Sequence, residues 1–205
     1  DPTLKFIEWS EPWHTIYNGQ IDYILHCASA TDSRFFIEKP VETINSILTF
    51  TWNILDFLKG SPECKMVFVS TMEVYGTEHH LHYPISEDDY GYRNLLSARS
   101  SYPQAKAMAE TLCYAYVKEY GCHISIARLC LILDLNILES DQRMFAQFIR
   151  SATNGTDIVL HTTGETVRTY CSLYDCVSAL FCILTCGKPG EAYNVANEKM
   201  TYTVK

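Results

Sequence analysis

Tyr102 and Lys106 stand one helical turn apart, in a segment that begins at Ser100 and opens a predicted helix running to about Tyr120. On a helix, this spacing puts the phenol and the ammonium group on one face. A free tyrosine has a pKa of about 10, and lowering it to about 7 takes roughly 4 kcal/mol of differential stabilisation. A close, partly desolvated cation can supply much of that energy. The pair therefore predicts a general acid and base for a hydroxyl group, although chance also produces this spacing on helices.

A second group of polar side chains follows two apolar runs that are predicted to be strands. One run ends at His26–Ser29, and the other leads into Ser70–Gly76. In an open α/β sheet, ligands bind at the carboxyl ends of the strands, where both segments fall. Thr71 could hydrogen-bond the hydroxyl that Tyr102 deprotonates, and Glu73 could act as a further acid or base. Serine and threonine also end strands and cap helices routinely, and a glutamate in a loop is commonly only solvated.

The elements that would position these groups alternate between strands and helices. The predicted strands are Leu4–Trp9, Ile21–Ala28, Lys65–Ser70, His123–Leu129 and Asp157–His161. The predicted helices are Pro40–Lys59, Tyr102–Tyr120, Gln142–Thr153 and Tyr174–Thr185. Strands that alternate with helices indicate right-handed βαβ units. The sequence therefore predicts an α/β fold with a Rossmann-like, doubly wound and mostly parallel sheet that has helices on both faces.

The alternation of strands and helices becomes less regular after about Leu131, which divides the chain into two parts. Residues 1–130 form the predicted sheet core, and residues 131–205 form a predicted small substrate-binding lobe, interleaved with the core in a single structural unit. The polar segment Thr77–Arg99 has no clean period and is predicted to be a long loop. Such a loop in a compact domain is usually functional.

Composition excludes several classes of protein. The 205 residues carry a formal net charge of -8, whereas a nucleic-acid-binding protein needs a basic face. Nine cysteines lie mostly in apolar runs, without Cys-x-x-Cys or the Cys/His spacing of zinc sites. We therefore expect a reduced, cytoplasmic protein without disulfides or a metal site. We also expect no signal peptide and no membrane span, because no apolar run is long enough.

Five segments resemble motifs of one protein family. They are Asp22–Ser29, Ser70–Gly76, Arg99–Leu112, Arg168–Asp175 and Tyr193–Val195. In this order they are similar to segments of the extended short-chain dehydrogenase/reductases of the epimerase/dehydratase type, which act on nucleotide sugars. The Arg-Ser-x-Tyr-x-x-x-Lys pattern in the third segment looks most like the branch of UDP-glucuronate decarboxylases (UDP-xylose synthases) and dTDP-glucose 4,6-dehydratases.

The resemblance implies NAD as the cofactor, a UDP- or dTDP-sugar as the substrate, and a catalytic set of four residues. Tyr102, as phenolate, would take the proton from the sugar C4 hydroxyl while a hydride passes to NAD. Lys106 would lower the pKa of Tyr102 and hold the nicotinamide ribose, and Thr71 would share the hydrogen bond of the hydroxyl. Glu73 stands where decarboxylases and dehydratases carry a glutamate. The 4-keto sugar would then lose carbon dioxide, eliminate water or epimerise.

The resemblance also implies two sets of binding residues. The cofactor set consists of Cys27, Ala28, Ser29, Ser70, Tyr102 and Lys106. The substrate set consists of Arg99, Arg143, Arg168 and Asp175. Bidentate arginine suits a diphosphate, and the alternative for both Arg143 and Arg168 is a surface ion pair.

Members of this family commonly form homodimers through a four-helix bundle. Here the bundle would use the helices Pro40–Lys59 and Tyr102–Tyr120. Several aromatic residues of these helices suit either an interface or the core of one chain. They are Phe50, Trp52, Phe57, Tyr114 and Tyr116.

The chain departs from the family in the parts that would hold the cofactor. The glycine-rich loop that anchors pyrophosphate is absent, because the sequence begins after the place where the family carries it. Trp9, Met72 and Leu131–Asp134 replace residues that the family places around the adenine, the catalytic turn and the nicotinamide. Two hypotheses follow. The chain is an NAD-dependent enzyme whose N-terminal segment is missing from the quoted sequence, or a degenerate, weakly active or inactive relative that acts as a binding or scaffold subunit.

Overall fold

A computed structural model describes residues 19–29, 31–76, 84–134, 137, 139, 141, 143–160 and 163–205. The predicted strand Leu4–Trp9, and with it the substitution at Trp9, lies outside these residues. The strands are β1 (Tyr23–His26), β2 (Lys65–Thr71), β3 (His123–Leu129), β4 (Leu131–Leu133), β5 (Val167–Ser172), β6 (Ala192–Val195) and β7 (Thr201–Thr203). The α-helices are α1 (Ser33–Glu38), α2 (Pro40–Lys59), α3 (Ser101–Tyr120), α4 (Met144–Asn154) and α5 (Leu173–Cys186).

A four-stranded sheet forms the centre of the fold, in the order β1-β2-β3-β6. All three strand pairs in it are parallel. Helices α2 and α3 contribute to the core on one face of this sheet, and α5 contributes to the core on the other face. The predicted α/β fold, with a doubly wound parallel sheet, is therefore confirmed.

Strand β2 shows why this sheet is apolar on both faces. Met66 and Phe68 belong to the core shared with α2 and α3, whereas Val67 belongs to the core against α5. Each of these three side chains is at most 1% exposed. Successive residues of a strand point to opposite faces, so a central strand reads as a continuous apolar run. The carboxyl end of β2 is thus fixed from both sides.

A smaller sheet in the order β4-β5-β7 accompanies the main one. Strand β4 pairs with β5 in parallel, and β5 pairs with β7 in antiparallel orientation. Helix α5 and strand β6 also fall within residues 131–205, yet they belong to the main sheet and its covering layer. The sequence pattern did not predict β4, β5, β6, β7 or α1. Each has six residues or fewer, which is too short to show a clear period.

The long helices end where their sequence signals predict. Helix α2 has a proline in its first turn and Gly60 after its last residue, and its bounds are those predicted. Helix α3 ends before Gly121, which has a left-handed backbone with φ of 69°. Helix α4 begins at Met144, because Arg143 is an extended N-cap residue, and Gln142 lies outside the described residues.

One expectation about an individual segment is wrong. Residues 157–160 form no strand, and the side chains of Ile158, Val159 and Leu160 are 49%, 66% and 39% exposed. Among the described residues, no neighbouring strand is available to pair with these β-prone residues, and His161 lies outside that part of the chain. Tyr116 is one of the aromatic residues that suit either an interface or the core of one chain. It is buried in the core, and its hydroxyl donates to Asp56 Oδ1 at 3.0 Å.

No helix in the part of the chain that the structure describes is long and apolar enough to cross a bilayer.

Gly76 closes the 3-10 turn Met72–Tyr75 with φ of 83°. An added Cβ would clash with the Tyr92 carbonyl oxygen and lie 2.9 Å from Arg93 Cγ. We therefore expect Gly76→Ala to lower the free energy of unfolding by about 3 kcal/mol, from the clash plus the strain of a backbone with ψ of -150°, a region that is essentially restricted to glycine. Gly121→Ala is the control for positive φ alone, since its φ is 69° but no described atom lies within 4 Å of the added Cβ.

We expect the Gly121→Ala control to lose only about 1 kcal/mol. Urea unfolding of both variants measures the difference. Equal losses would contradict the close approach of Tyr92 to the turn.

Candidate active site

Tyr102 lies where the amino end of α3 meets the carboxyl end of β2, and its side chain is buried. Its ring stacks on Phe36 of α1, with ring centroids 4.2 Å apart and an angle of 4° between the planes. The Ser101 hydroxyl donates to the Phe36 carbonyl oxygen at 3.0 Å, which ties α1 to α3. The short helix α1 therefore covers one face of the phenol, leaving Tyr102 9% exposed. The sequence pattern did not predict this contact.

Three predicted site residues surround the Tyr102 phenol. The Thr71 hydroxyl lies near enough to the phenol to stabilise the phenolate, and the charges of Glu73 and Arg99 also act on the phenol. Glu73 and Arg99 form an ion pair with an N–O distance of 2.8 Å. The Glu73 amide also donates to Thr71 Oγ1 at 3.3 Å, which fixes the first turn after β2.

Burial raises the pKa of Tyr102 to about 12. The negative charge of Glu73 adds to this increase, whereas the neighbouring Thr71 hydroxyl and the positive charge of Arg99 oppose it. The sequence predicted a lowered pKa because of Lys106. The described residues produce the opposite shift, since desolvation outweighs the favourable contacts of the phenolate.

Lys106 lies below Tyr102 on the same face of α3 and is 2% exposed. Its ammonium donates to the Val69 carbonyl oxygen at 2.7 Å and lies 4.8 Å from the centre of the Phe68 ring. Burial lowers the pKa of Lys106 to about 8. The cation is thus bound to the backbone of β2, one residue before Ser70, and is poorly solvated.

The end of β1 supplies a neutral histidine beside this lysine. His26 Nε2 lies 3.0 Å from Thr51 Oγ1, and the Thr51 hydroxyl donates to the Ile47 carbonyl oxygen. Thr51 Oγ1 therefore accepts from His26 Nε2–H. Burial, together with the charge of Lys106, lowers the pKa of His26 to about 4. Beyond His26, the proposed cofactor residues Cys27 and Ala28 are exposed and Ser29 is half-buried.

A buried ion pair joins α3 to β3 behind the catalytic turn. Arg128 Nη2 lies 2.8 Å from Glu110 Oε2, and the two side chains are 11% and 10% exposed. The Ser70 hydroxyl donates to Glu110 Oε1 at 2.5 Å. Burial opposes the charge on Arg128, but the hydrogen bonds and charge of Glu110 outweigh it and raise its pKa.

The same arginine extends the network to the loop after the turn. Arg128 Nη1 donates to the Tyr75 hydroxyl at 3.0 Å and to the Glu87 carbonyl oxygen at 2.7 Å. The Tyr75 hydroxyl donates to Asn194 Oδ1 at 2.7 Å, and the backbone N–H of Asn194 donates to Glu87 Oε1 at 2.7 Å. Sequence reasoning assigned no role to these residues. The available signal was a charged Arg128 inside the otherwise apolar strand β3, with Glu110 on the face of α3 that carries Lys106.

The remaining predicted substrate residues make their contacts elsewhere. Arg143 ion-pairs with Asp141 at 2.6 Å, and its guanidinium lies 4.6 Å from the Phe145 ring centre. Arg168 Nη1 donates to the Val167 carbonyl oxygen at 3.0 Å. The Asp175 amide donates to the Ser172 hydroxyl at 3.1 Å, at the start of α5. The structure thus brings together Thr71, Glu73, Arg99 and Tyr102. The other three predicted substrate residues show contacts within their own segments.

The described residues contain no group of three His, Cys, Asp or Glu side chains that could hold a metal ion. The chemical capacity of the site therefore rests on a phenol, a hydroxyl, an ammonium and a carboxylate–guanidinium pair. Such a set can move a proton at a hydroxyl group, with the phenol as acid or base.

Two relatives are 30% to 32% identical to this chain over the aligned residues. UDP-N-acetyl-alpha-D-glucosaminuronate decarboxylase of Bacillus cytotoxicus is 32% identical over 190 residues, covering 90% of this chain and 56% of the relative. UDP-glucuronic acid decarboxylase 1 of Xenopus tropicalis is 30% identical over 165 residues, covering 80% of this chain and 38% of the relative. The chain thus spans only 38% to 56% of the length of these relatives.

Solved structures show the same fold. UDP-glucose 4-epimerase of Thermotoga maritima, with UDP-glucose, has a TM-score of 0.81 and 20% identity, over 93% of this chain and 59% of that one. The dTDP-glucose 4,6-dehydratase of Bacillus anthracis, in complex with NAD, has a TM-score of 0.76 and 22% identity, over 93% and 56%.

The sequence model of one protein family matches almost the whole chain. Residues 10–196 match the NAD dependent epimerase/dehydratase family. This match confirms the resemblance that the five sequence motifs indicated, and the relatives include the decarboxylases and dehydratases that the motifs favoured. The chain therefore belongs to the NAD dependent epimerase/dehydratase family.

Proposed function

We propose that this chain carries the acid–base site of an enzyme that oxidises the C4 hydroxyl of a nucleotide sugar. The observation that carries the proposal is the contact between the Thr71 hydroxyl and the Tyr102 phenol, with the Lys106 ammonium buried one turn further along α3. Both hydroxyl groups can bind the same sugar oxygen, because the Thr71 hydroxyl lies beside the phenol. Tyr102 takes its proton, and Thr71 donates to the oxygen that loses it.

NAD, the cofactor of the family, would accept the hydride that leaves C4 as the proton passes to Tyr102. The donor set fits the reacting half of this cofactor, since Lys106 and Tyr102 can bind the ribose hydroxyls beside the exposed end of β1. Cys27, Ala28, Ser29 and Ser70, at the ends of β1 and β2, would contact the cofactor. The 205 residues contain no Gly-x-x-Gly-x-x-Gly pattern, so this chain does not itself supply that anchor for the pyrophosphate.

We propose a UDP- or dTDP-sugar as the substrate, with UDP-glucuronate as the first candidate. Relatives named as UDP-glucuronic acid decarboxylases, and Glu73 beside the phenol, support this choice. After oxidation, Glu73 would assist decarboxylation, dehydration or epimerisation as an acid or base. Within the proposed division, residues 1–130 bind the cofactor and residues 131–205 bind the substrate. Arg99, Arg143, Arg168 and Asp175 are the proposed substrate contacts, and binding of a diphosphate by Arg143 would break its ion pair with Asp141.

A reducing, cytoplasmic location is part of the proposal. All nine cysteines are free, and those that are buried lie in the apolar cores.

Incubation with NAD and UDP-glucuronate, followed by mass spectrometry, tests the proposed activity. It should be run on the full-length protein. A 4-keto sugar or UDP-xylose is the expected product. Binding of the UDP-sugar in calorimetry without any product would favour the alternative, a binding or scaffold subunit.

Tyr102→Phe is expected to lower kcat at least 1000-fold, on the order of the effect of losing a general base together with its positioning. The ring still stacks on Phe36, so the free energy of unfolding should change by only about 1 kcal/mol. Tyr120→Phe is the control, because Tyr120 is an exposed tyrosine at the far end of α3. A Tyr102→Phe variant with normal turnover would contradict the role of the phenol.

Lys106→Met is expected to stabilise the protein by roughly 2 kcal/mol while it abolishes turnover. Lys106 is charged but buried, and its pKa falls from 10.5 unfolded to about 8 folded. The unfolded chain therefore holds one more proton between these pH values, so wild-type stability rises with pH across this window. The advantage of the methionine variant should be largest below pH 8 and vanish above pH 10.5.

Urea unfolding at several pH values measures this difference. Lys118→Met is the matched control, because Lys118 is an exposed lysine on the same helix and its replacement should change stability by less than about 0.5 kcal/mol. Destabilisation of Lys106→Met at pH 7 would contradict the idea that the buried ammonium is maintained for function.

A homodimer formed through α2 and α3 is also part of the proposal. The exposed faces of these helices carry Val41, Trp52, Met108 and Tyr114, which are 65%, 49%, 51% and 48% exposed. Apolar side chains of this size suit an interface core. Light scattering should give the mass of two chains, and Trp52→Glu should give the mass of one. A single-chain mass for the wild type would contradict the dimer.

A further inference from the structure

We propose that Arg128 and Glu110 are positioning residues of this site. Their buried ion pair holds both ends of the segment Ser70–Tyr75, and this segment presents Thr71 and Glu73 to Tyr102. The inference rests on the proposed function, because it assumes that the Thr71–Tyr102 contact takes part in turnover.

The first end of the segment is held through Glu110. The Ser70 hydroxyl donates to Glu110 Oε1 at 2.5 Å, and Arg128 binds both carboxylate oxygens at 2.8–3.3 Å. Ser70 and Arg128 are also register partners on neighbouring strands. Their side chains therefore stand side by side on the α3 face of the sheet, one residue before Thr71.

The second end is held through the other edge of the guanidinium. Arg128 Nη1 donates to the Tyr75 hydroxyl at 3.0 Å, and the guanidinium lies 4.9 Å from the Tyr75 ring centre. Asn194, the register partner of Arg128 on β6, accepts from the same hydroxyl at 2.7 Å. Only the planar, forked guanidinium can make both sets of contacts at once; a lysine ammonium cannot.

Between these two ends lie Thr71 and the 3-10 turn Met72–Tyr75. Within this segment, the Thr71 hydroxyl lies beside the Tyr102 phenol, and Glu73 pairs with Arg99. A displacement of about 1 Å in a catalytic group can lower a rate on the order of 100-fold. The ion pair therefore acts on the reaction through the geometry of this segment, without touching the phenol.

Arg128→Lys keeps the charge but loses the fork. We expect kcat to fall about 10- to 100-fold while KM changes less than about threefold. Tyr75→Phe removes a single hydroxyl, leaves the Glu110–Arg128 pair intact and should lower kcat about three- to tenfold. The double variant should be no more than about twofold worse than Arg128→Lys, because both changes break the same contact.

Leu180→Ala is the control for lost stability. Leu180 is 6% exposed in the core on the opposite face of the sheet, so its truncation weakens folding without touching the segment. At a temperature where all variants are folded, its kcat should stay within about twofold of the wild type. If Leu180→Ala lowered kcat as much as Arg128→Lys, the proposal would be overturned. Unchanged kcat values in both Arg128→Lys and Tyr75→Phe would also overturn it.

Hydrogen exchange separates this inference from the proposed activity. The Glu73 amide donates to Thr71 Oγ1, and the Gly91 amide donates to the Tyr75 carbonyl oxygen at 2.9 Å. Both amides should exchange about tenfold faster in Tyr75→Phe and Arg128→Lys but not in Leu180→Ala. If the wild type shows no turnover, the proposed function fails. If exchange at both amides is unchanged in Tyr75→Phe and Arg128→Lys, the positioning role is overturned, whatever the turnover. If Arg128→Lys does not fold, kcat and amide exchange measured on Tyr75→Phe test the proposal.

Discussion

Burial of charge at the carboxyl end of β2 is the constraint on which the site depends. Lys106 is an ammonium with 2% exposure, and Tyr102 is a phenol with 9% exposure. Desolvation disfavours the charged form of each group, and it therefore moves their pKa values apart, with the ammonium shifted down and the phenol shifted up. The pKa of Lys106 falls to about 8 and that of Tyr102 rises to about 12. A further positive charge near the phenol would stabilise the phenolate, and the bound cofactor of the family carries such a charge on its nicotinamide ring.

Two sets of contacts keep these groups in place. The apolar set consists of the sheet core below the site and the stacked ring of Phe36 above Tyr102. The polar set consists of the buried pair Glu110–Arg128 and its partners on β2 and β6. A buried ion pair contributes little net stability compared with apolar residues of the same shape, but breaking one partner is strongly destabilising. This polar set is therefore better explained by geometric specificity at the strand ends than by stability.

Much of the fold could be predicted from the sequence, because the central strands and long helices have strong signals. The run Lys65–Ser70 is apolar on both faces, and α2 is bounded by Pro40 and Gly60. The short elements could not be predicted, since three to six residues show no period and depend on tertiary partners. The run Asp157–His161 shows the opposite error, because β-prone residues form no strand where no neighbouring strand pairs with them.

The nearness of Thr71 to Tyr102 could be predicted from the sequence, whereas the electrostatics of the candidate site could not. The spacing of Tyr102 and Lys106 placed them on one face of a helix, and the motif at Ser70–Gly76 placed Thr71 nearby. The sequence could not show that the Lys106 ammonium binds the Val69 carbonyl oxygen, because that contact depends on how α3 packs on the sheet. The raised pKa of Tyr102 follows from this packing and from Glu73, which the linear spacing does not reveal.

The central claim is that Tyr102 takes the proton from the C4 hydroxyl oxygen as a hydride leaves C4. Isotope transfer tests this claim most directly, with UDP-glucuronate that carries deuterium at C4 and a rapid quench within a single turnover. The account predicts deuterium on the recovered nicotinamide with the wild type and almost none with Tyr102→Phe. Turnover in which the deuterium never leaves the sugar, or equal transfer by both proteins, would contradict it.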